Sequence, residues 1–453
     1  MRHAGRALAA IALAAGVLAP AASAAFTAPV ELATGSFGLE VVADADAAGR
    51  TTALVSGGGH GPGLFERTPG GACSARTSLP GQPAAVKGPV LDAAGQGALG
   101  IAWRVDKPRR YDGIGVAMRD PGGTLSEPAQ IAGPDAGGVR HPALAIDPAG
   151  DALLAYNSDT RKVHLSLRGA VAIAYRKSGG SFSAPTVVDR TPSSPPVVAL
   201  ARDGSGIVAW THDRRVYVLS VGAGGALGKV KPIASPAGVA DIVAAAGSDG
   251  AATLAWTNHR VLSTQRSPRT RYYVRALTRA AGRAFGATQV VATTTAFIQG
   301  LAAASDEDGR TTVAWNEDHF GQPGGSSAVP RAVRAASARA GAPLSAARLI
   351  ATRRGTNATT PAVAAANGRV ALAWSLAPTR SATSVQAAVG PAAAPGPAQS
   401  IAHWTLSGGF FVPQPAMAAT LGPGGTATVL YTDTVEGANR TLSQRVLAAD
   451  GAG

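Results

Sequence analysis

The sequence predicts an all-β fold of about eight similar four-stranded antiparallel units, or seven if the first is irregular, closed into a single ring. Three observations carry this. A phrase of small apolar alternation, a Gly-containing turn, more alternation and a final aromatic recurs along the chain. A second hairpin pattern follows each copy. The last copy lacks its closing strand, and a matching strand stands near the start of the chain instead.

The recurring phrase is read first, because self-similarity at a fixed period decides the architecture. It appears as VLDAAGQGALGIAW ending at Trp103, ALAIDPAGDALLAY at Tyr156 and VVALARDGSGIVAW at Trp210. It returns as IVAAAGSDGAATLAW at Trp256, LAAASDEDGRTTVAW at Trp315, PAVAAANGRVALAW at Trp374 and AMAATLGPGGTATVLY at Tyr431. A weaker copy, EVVADADAAGRTTALV, ends at Val55. The anchors lie 46 to 59 residues apart, and five of the six tryptophans occupy the anchor position. A large residue at one place in every unit most simply fills the space between neighbouring sheets, so the anchors are read as core and not as a ligand-stacking platform.

Each phrase is a hairpin. Period-two alternation flanks Asp203-Gly204, Asp249-Gly250, Asp308-Gly309 or Asn367-Gly368, dipeptides that supply the positive φ a tight reversal needs. The second hairpin runs from Ile114 through Gly122-Gly123 to LSEPAQIA, and from Val171 through Gly179-Gly180 to FSAPTVVD. FGATQVVA and LSAARLIA close later copies. The missing last strand is matched by FTAPVELA, Phe26 to Ala33, which predicts that the N-terminal strand completes the C-terminal unit. Closure of this kind removes the exposed edges an open array would have to protect.

Four strands per unit of about 50 residues in a closed ring define a β-propeller. The chain resembles secreted bacterial β-propellers whose units read small-apolar hairpin, Ala-Trp, basic strand, Gly-Gly turn, Phe-x-x-Pro. The resemblance covers nearly everything after the leader. It implies a fold and no activity, since propellers serve as enzymes, lectins and scaffolds alike.

The first 24 residues read as a secretory signal: Arg2, His3 and Arg6, an apolar run from Ala7 to Leu18, and the small-residue site Ala22-Ser23-Ala24. The run is shorter than the roughly 20 residues a membrane span needs. Residues 25–453 are expected to form one propeller domain, free of any membrane anchor in an extracytoplasmic space. Cys73 is the single cysteine, so no intrachain disulfide is available and stability must come from burial and strand pairing. The formal charge of +14 favours anionic partners, but it is mostly Arg scattered singly. An anionic cell-wall polymer, a glycan or another protein is therefore the expected class of partner, with nucleic acid disfavoured.

Chemistry is harder to find. The nearest approach to a sialidase Asp-box, Ser305 to Trp315, has the wrong spacing. Asp44, Asp46, Asp306 and Asp308 fall short of a calcium loop and are read as turn carboxylates. Cys73 has no histidine near it in sequence, and no nucleophile elbow or phosphate loop is present. No cofactor and no metal are expected. The histidines carry the remaining signal. His60, His164, His212, His259 and His319 fall in loops after second strands, His141 begins an inner strand, and His403 falls in a connection between units. All map to one face of the ring, joined there by Asn157, Asp159, Asp213, Asn258, Glu317, Asp318 and Asp433. Loops on a rigid scaffold commonly bind ligands. The expectation is a non-enzymatic binding or interaction module using this face. The alternatives are a carbohydrate-active hydrolase or lyase, with acids such as Asp213 and Glu317 at the channel mouth, and a structural envelope protein.

Overall fold

Short alternating segments cut by Gly and Asp-Gly can bury one face only by stacking sheet on sheet, and the computed structural model shows eight antiparallel sheets arranged in this way. It describes residues 26–452, except 37, 58, 70, 82, 84–85, 108–109, 132–138, 160–168, 191, 193, 234–237, 248, 263–269, 319–329, 355–356, 359, 380–381, 407–414 and 437–441. Blade 1 spans 40–78, blade 2 87–131, blade 3 139–189, blade 4 197–233, blade 5 239–294, blade 6 297–354, blade 7 357–405 and blade 8 417–452. Within a blade the strands follow one another in space as in sequence, from an inner strand to an outer one. Each inner strand lies against the inner strand of the next blade, and the series returns from blade 8 to blade 1.

The chain is thus an eight-bladed β-propeller, and the seven-bladed alternative falls. The weak first copy is a regular four-stranded blade of Glu40–Ala45, Thr51–Gly57, His60–Arg67 and Thr77–Ser78. In blade 7 the inner edge is split into Asn357–Ala358 and Ala362–Ala366, both paired with Arg369–Thr379. The helical content among the described residues is one 3-10 turn, Gly95–Gly97.

The anchor aromatics explain how the blades stack. Trp103, Tyr156, Trp210, Trp256, Trp315, Trp374 and Tyr431 all sit on second strands and are at most 1% exposed. Each packs backwards onto the preceding blade. Trp256 meets Ile207, Ala209, Val216 and Val218 of blade 4, and Trp315 meets Ala255, Val274 and Ala276 of blade 5. Val55, the smaller anchor of blade 1, meets Leu430, Val446 and Ala448 of blade 8. The core is therefore a series of clusters between neighbouring sheets, held by dispersion and burial at each junction.

Turn carboxylates hold the reversals between inner and second strands. Asp46 accepts from the backbone N–H of Ala48 and Arg50 at 3.0 and 2.9 Å, Asp147 from Ala149 and Asp151 at 2.9 Å each, and Asp306 from Asp308 and Arg310 at 3.0 and 2.8 Å. Asp44 differs from this expectation. It stands on the inner strand of blade 1 and hydrogen-bonds the carboxyl group of Asp92 on the inner strand of blade 2.

Closure follows the sequence. Val30–Gly35 pairs antiparallel with Leu442–Ala452, Val30 opposite Ala448, and completes blade 8. Side chains then tie blade 8 to blade 1. The Gln444 amide oxygen accepts from the N–H groups of Gly38 and Leu39 at 2.8 and 3.0 Å, and Arg67 pairs with Asp450. Thr51 and Thr420 hydroxyls meet at 2.8 Å across the same seam.

Candidate functional site

An antiparallel four-stranded meander places the loops after second strands and the inter-blade connections on one face, and the tight turns on the other. The polar residues expected on the first face divide into two sets. One set is buried and paired within its blade. Asn258, 2% exposed, accepts from Arg275 Nε at 2.9 Å. Glu317 accepts from Trp315 Nε1 at 3.3 Å and pairs with Arg334 at 2.9 Å. Asp318 pairs with Arg331 at 3.1 Å, both almost fully buried, and Asp433 binds Arg445 Nε at 3.1 Å. These groups brace the ends of second and third strands. The second set stays reachable: His141, His212, Asp213 and His259.

His212 and Asp213 show how local sequence sets geometry. The reversal from Gly206–His212 to Arg215–Val221 uses Asp213 and Arg214 at φ of 45° and 63°, a two-residue hairpin with no glycine. It leaves the Asp213 side chain 88% exposed. His212 Nδ1 lies 3.0 Å from an Asp189 carboxylate oxygen that also accepts from Trp210 Nε1 at 2.6 Å, so the ring is anchored to blade 3. Asp213 and Glu317 therefore do not meet in a pocket: one stands at a turn tip of blade 4, the other inside blade 6. Asn157 is half-buried and donates to the carbonyl of Ser194 at 3.4 Å. Asp159 ends the second strand of blade 3 and His60 begins the third strand of blade 1, but both side chains lie outside the described residues, as do His164 and His319 entirely. His403 lies in the outer strand Gln399–Thr405 of blade 7, opposite Ser384, and not in an inter-blade connection. Among the described residues no three His, Cys, Asp or Glu side chains are grouped to hold a metal.

The concave feature of this face was not legible as a motif. A cavity of about 220 Å3 is lined by Ser194, Pro195, Val197, Ala240, Asp241, Ile242, Gly300, Leu301 and Thr360. These residues begin, or immediately precede, the inner strands of blades 4, 5, 6 and 7, so the cavity opens at the mouth of the central channel. Its shape comes from β-bulges. The inner strands of blades 5 and 6 shift register between Val239 and Ile242 and between Gln299 and Leu301. Bulges insert an extra residue and re-aim a side chain, and they concentrate next to functional sites. Here the shifted segments contain Asp241, whose side chain is re-aimed, and Gly300, which carries none. A similar shift in blade 3, between Arg140 and Ala143, holds exposed His141 at a φ of 51°.

Asp241 is the charged group of the cavity. Its own N–H donates to Thr257 Oγ1 at 3.1 Å, and its carboxylate accepts from the N–H of Gly300 across the junction of blades 5 and 6. Burial pushes its carboxyl above the ordinary aspartate range, while the Gly300 bond opposes the shift. Gly300 has a φ of 70°, and a Cβ there would run into the backbone and side chain of Thr360. Only glycine fits without strain. A larger hollow, about 560 Å3, lies on the opposite face between turns of blades 5 and 6. Its Gln289 amide is bonded at both ends to Leu344, and the Arg279 guanidinium to Ser220 and the Gly206 carbonyl.

No protein-family model matches the chain, and no curated protein sequence does either. Solved structures do. The chain is similar to the BP39L lectin of Burkholderia pseudomallei at 14% identity and a TM-score of 0.50, over 82% of this chain and all of that one. It is similar to a polysaccharide lyase of the ulvan-lyase family at 11% identity and 0.45, over 76% and 89% of the two chains. It is similar to puromycin hydrolase at 14% identity and 0.46, over 92% of this chain but 62% of that one. At these identities the likeness is one of fold. No helix among the described residues is long and apolar enough to cross a membrane.

Proposed function

We propose that the protein is exported and acts as a non-enzymatic binding module, seating its ligand at the channel mouth on the loop-rich face. The observation that carries this reading is the Asp241 cavity. Four consecutive blades contribute to it, two of them by bulges that break an otherwise regular strand pairing. A concave site with apolar walls and a few converging polar groups is the usual form of a ligand pocket. His141, His212 and His259 on the same face extend the surface available to a larger partner.

The test is a melting scan of the chain from Ala25 onward against divalent metals, sugars and anionic wall polymers. A ligand at about 100 times its dissociation constant adds roughly 2.7 kcal/mol to the folded state. The reading expects one class to raise the transition and Asp241→Asn to reduce that rise. A rise that Asp241→Asn leaves intact would place the ligand elsewhere and refute the channel-mouth assignment.

A further inference from the structure

The channel mouth is bordered by an aromatic row. On the second and third strands of blade 5, His259 stands opposite Tyr272, with ring centroids 5.9 Å apart. Tyr272 then meets Phe297, the first residue of the blade 6 inner strand, edge to face at 5.4 Å and 89°. The row crosses the junction that the Asp241–Gly300 bond crosses beneath it. His259 also leans over Gly238, three positions before Asp241, and its N–H donates to the Gly238 carbonyl at 3.3 Å. Phe297 precedes Gly300 by three residues, which is about 10 Å along a strand.

The two ends of this row, His259 and Phe297, are exposed, while Tyr272 between them is half-buried against the junction of blades 5 and 6. Phe297 is 41% exposed, and Val261 and Leu262, at the end of the same blade 5 strand and just beyond it, are 56% and 43% exposed. Apolar surface gathered at one place and bordered by polar groups marks a binding site. It belongs to blades 5 and 6 on the loop face, while the buried aromatic anchors of the repeat take no part in it.

Resting on the channel-mouth reading, we infer that the ligand is an oligosaccharide, with a pyranose ring laid on Phe297, which Tyr272 holds edge to face, and its hydroxyls, or those of the next ring, directed to Asp241 and Thr360. A sugar ring presents an apolar C–H face and a hydroxyl edge, and the site offers the complement of both within about two strand pleats. Aromatic π faces carry negative charge and attract polarised C–H groups. The carboxylate of Asp241, already bonded to Gly300, has lone pairs left to accept hydroxyl donors. Other chemistries fit less well. An anion would meet the carboxyl oxygens of Asp241, a metal cation would find no grouping of three His, Cys, Asp or Glu among the described residues, and a purely apolar ligand would strip water from the carboxyl while offering it no donor.

The experiment is titration calorimetry of the full mature chain with neutral and uronic-acid oligosaccharides, and with a tripeptide and inorganic phosphate as the alternative probes. Phe297→Ala, Asp241→Asn and, on the opposite face, Arg283→Ala are compared with wild type. Melting curves check that each variant folds. The inference expects saturable binding of an oligosaccharide, weakened about tenfold or more by Phe297→Ala and by Asp241→Asn and unchanged by Arg283→Ala. Oligosaccharide binding untouched by the first two variants overturns both this inference and the channel-mouth reading. No oligosaccharide binding, with a peptide or inorganic anion instead bound in an Asp241-dependent way, overturns the sugar and leaves the site standing. Absence of binding by every probe overturns the sugar as well.

Discussion

Asp44 and Asp92 occupy matching positions on the inner strands of blades 1 and 2, and their carboxyl groups are hydrogen-bonded to each other. Each also reaches the next inner strand: Asp44 accepts from the N–H of Ala93 at 2.9 Å, and Asp92 from that of Ile146 at 2.6 Å. Three successive blades are thereby linked near the axis. Burial raises both carboxyls above the ordinary aspartate range, Asp92 strongly, and the bond between them requires a proton.

This pair gives a pH prediction with a definite sign. A carboxyl raised on folding contributes stability that is fully present below its unfolded value, near 3.9, and is lost as pH rises through its folded value. Asp92→Asn keeps a donor for Asp44 and an acceptor for Ile146 without the second ionisable group. Melting followed from pH 4 to 8 should show a smaller decline for Asp92→Asn than for wild type, and a higher transition near neutrality. Parallel curves would show that the pair does not hold its proton.

The anchors predict a large and uniform cost. Trp256→Ala or Trp315→Ala removes a fully buried side chain from between two sheets and should destabilise the fold by about 3–5 kcal/mol. Denaturant unfolding measures it. The exposed Phe297→Ala, by contrast, should fall well under that range.

Removing residues 26–36 should expose the outer edge of Leu442–Ala452 that they cover, from Gln444 to Asp450. An unpaired edge recruits other strands. Size-exclusion chromatography should then show dimers or aggregates where the intact chain gives one species, and a synthetic peptide of residues 26–36 should reverse this.

Gly300→Ala forces a Cβ onto Thr360 at a positive φ. Strain of this type costs about 1–3 kcal/mol. The variant should melt earlier and lose any ligand that the Asp241 cavity holds, and a calorimetric titration alongside the melt reads both effects.

Most of the fold was legible because its signals are local in the chain. Asp203-Gly204 or Asn367-Gly368 specifies a reversal by its own backbone, and Trp210 or Trp374 specifies a blade junction by recurring at the same place in each unit. The closing strand was legible because Val30–Gly35 repeats a pattern the last copy lacks. The end of the blades on which these polar residues fall was legible for the same topological reason, but their burial was not. Asp213 and Asp433 look alike in sequence, both following an aromatic anchor. What separates them is Arg445, directly opposite Asp433 on the third strand, whereas Asp213 forms the tip of a turn. An arginine at that register in blade 8, or Arg275 and Arg334 in blades 5 and 6, was the available sign of an internal ion pair or hydrogen bond. Asp241 was missed because a single polar residue before an alanine run resembles any strand start. Its meaning depends on a bulge and on Gly300 in the next blade, and no local pattern encodes that pairing.

Hydrogen–deuterium exchange of residues 25–453, with and without the oligosaccharide panel, reads occupancy of the channel mouth directly. The Gly300 N–H bonds Asp241 at the floor of the cavity, and its exchange reports whether that site is occupied. Binding at the channel mouth should slow exchange at 238–242 and 297–301 and leave the tight-turn face unchanged. Slowing confined to that opposite face, or to the outer strands, would contradict it.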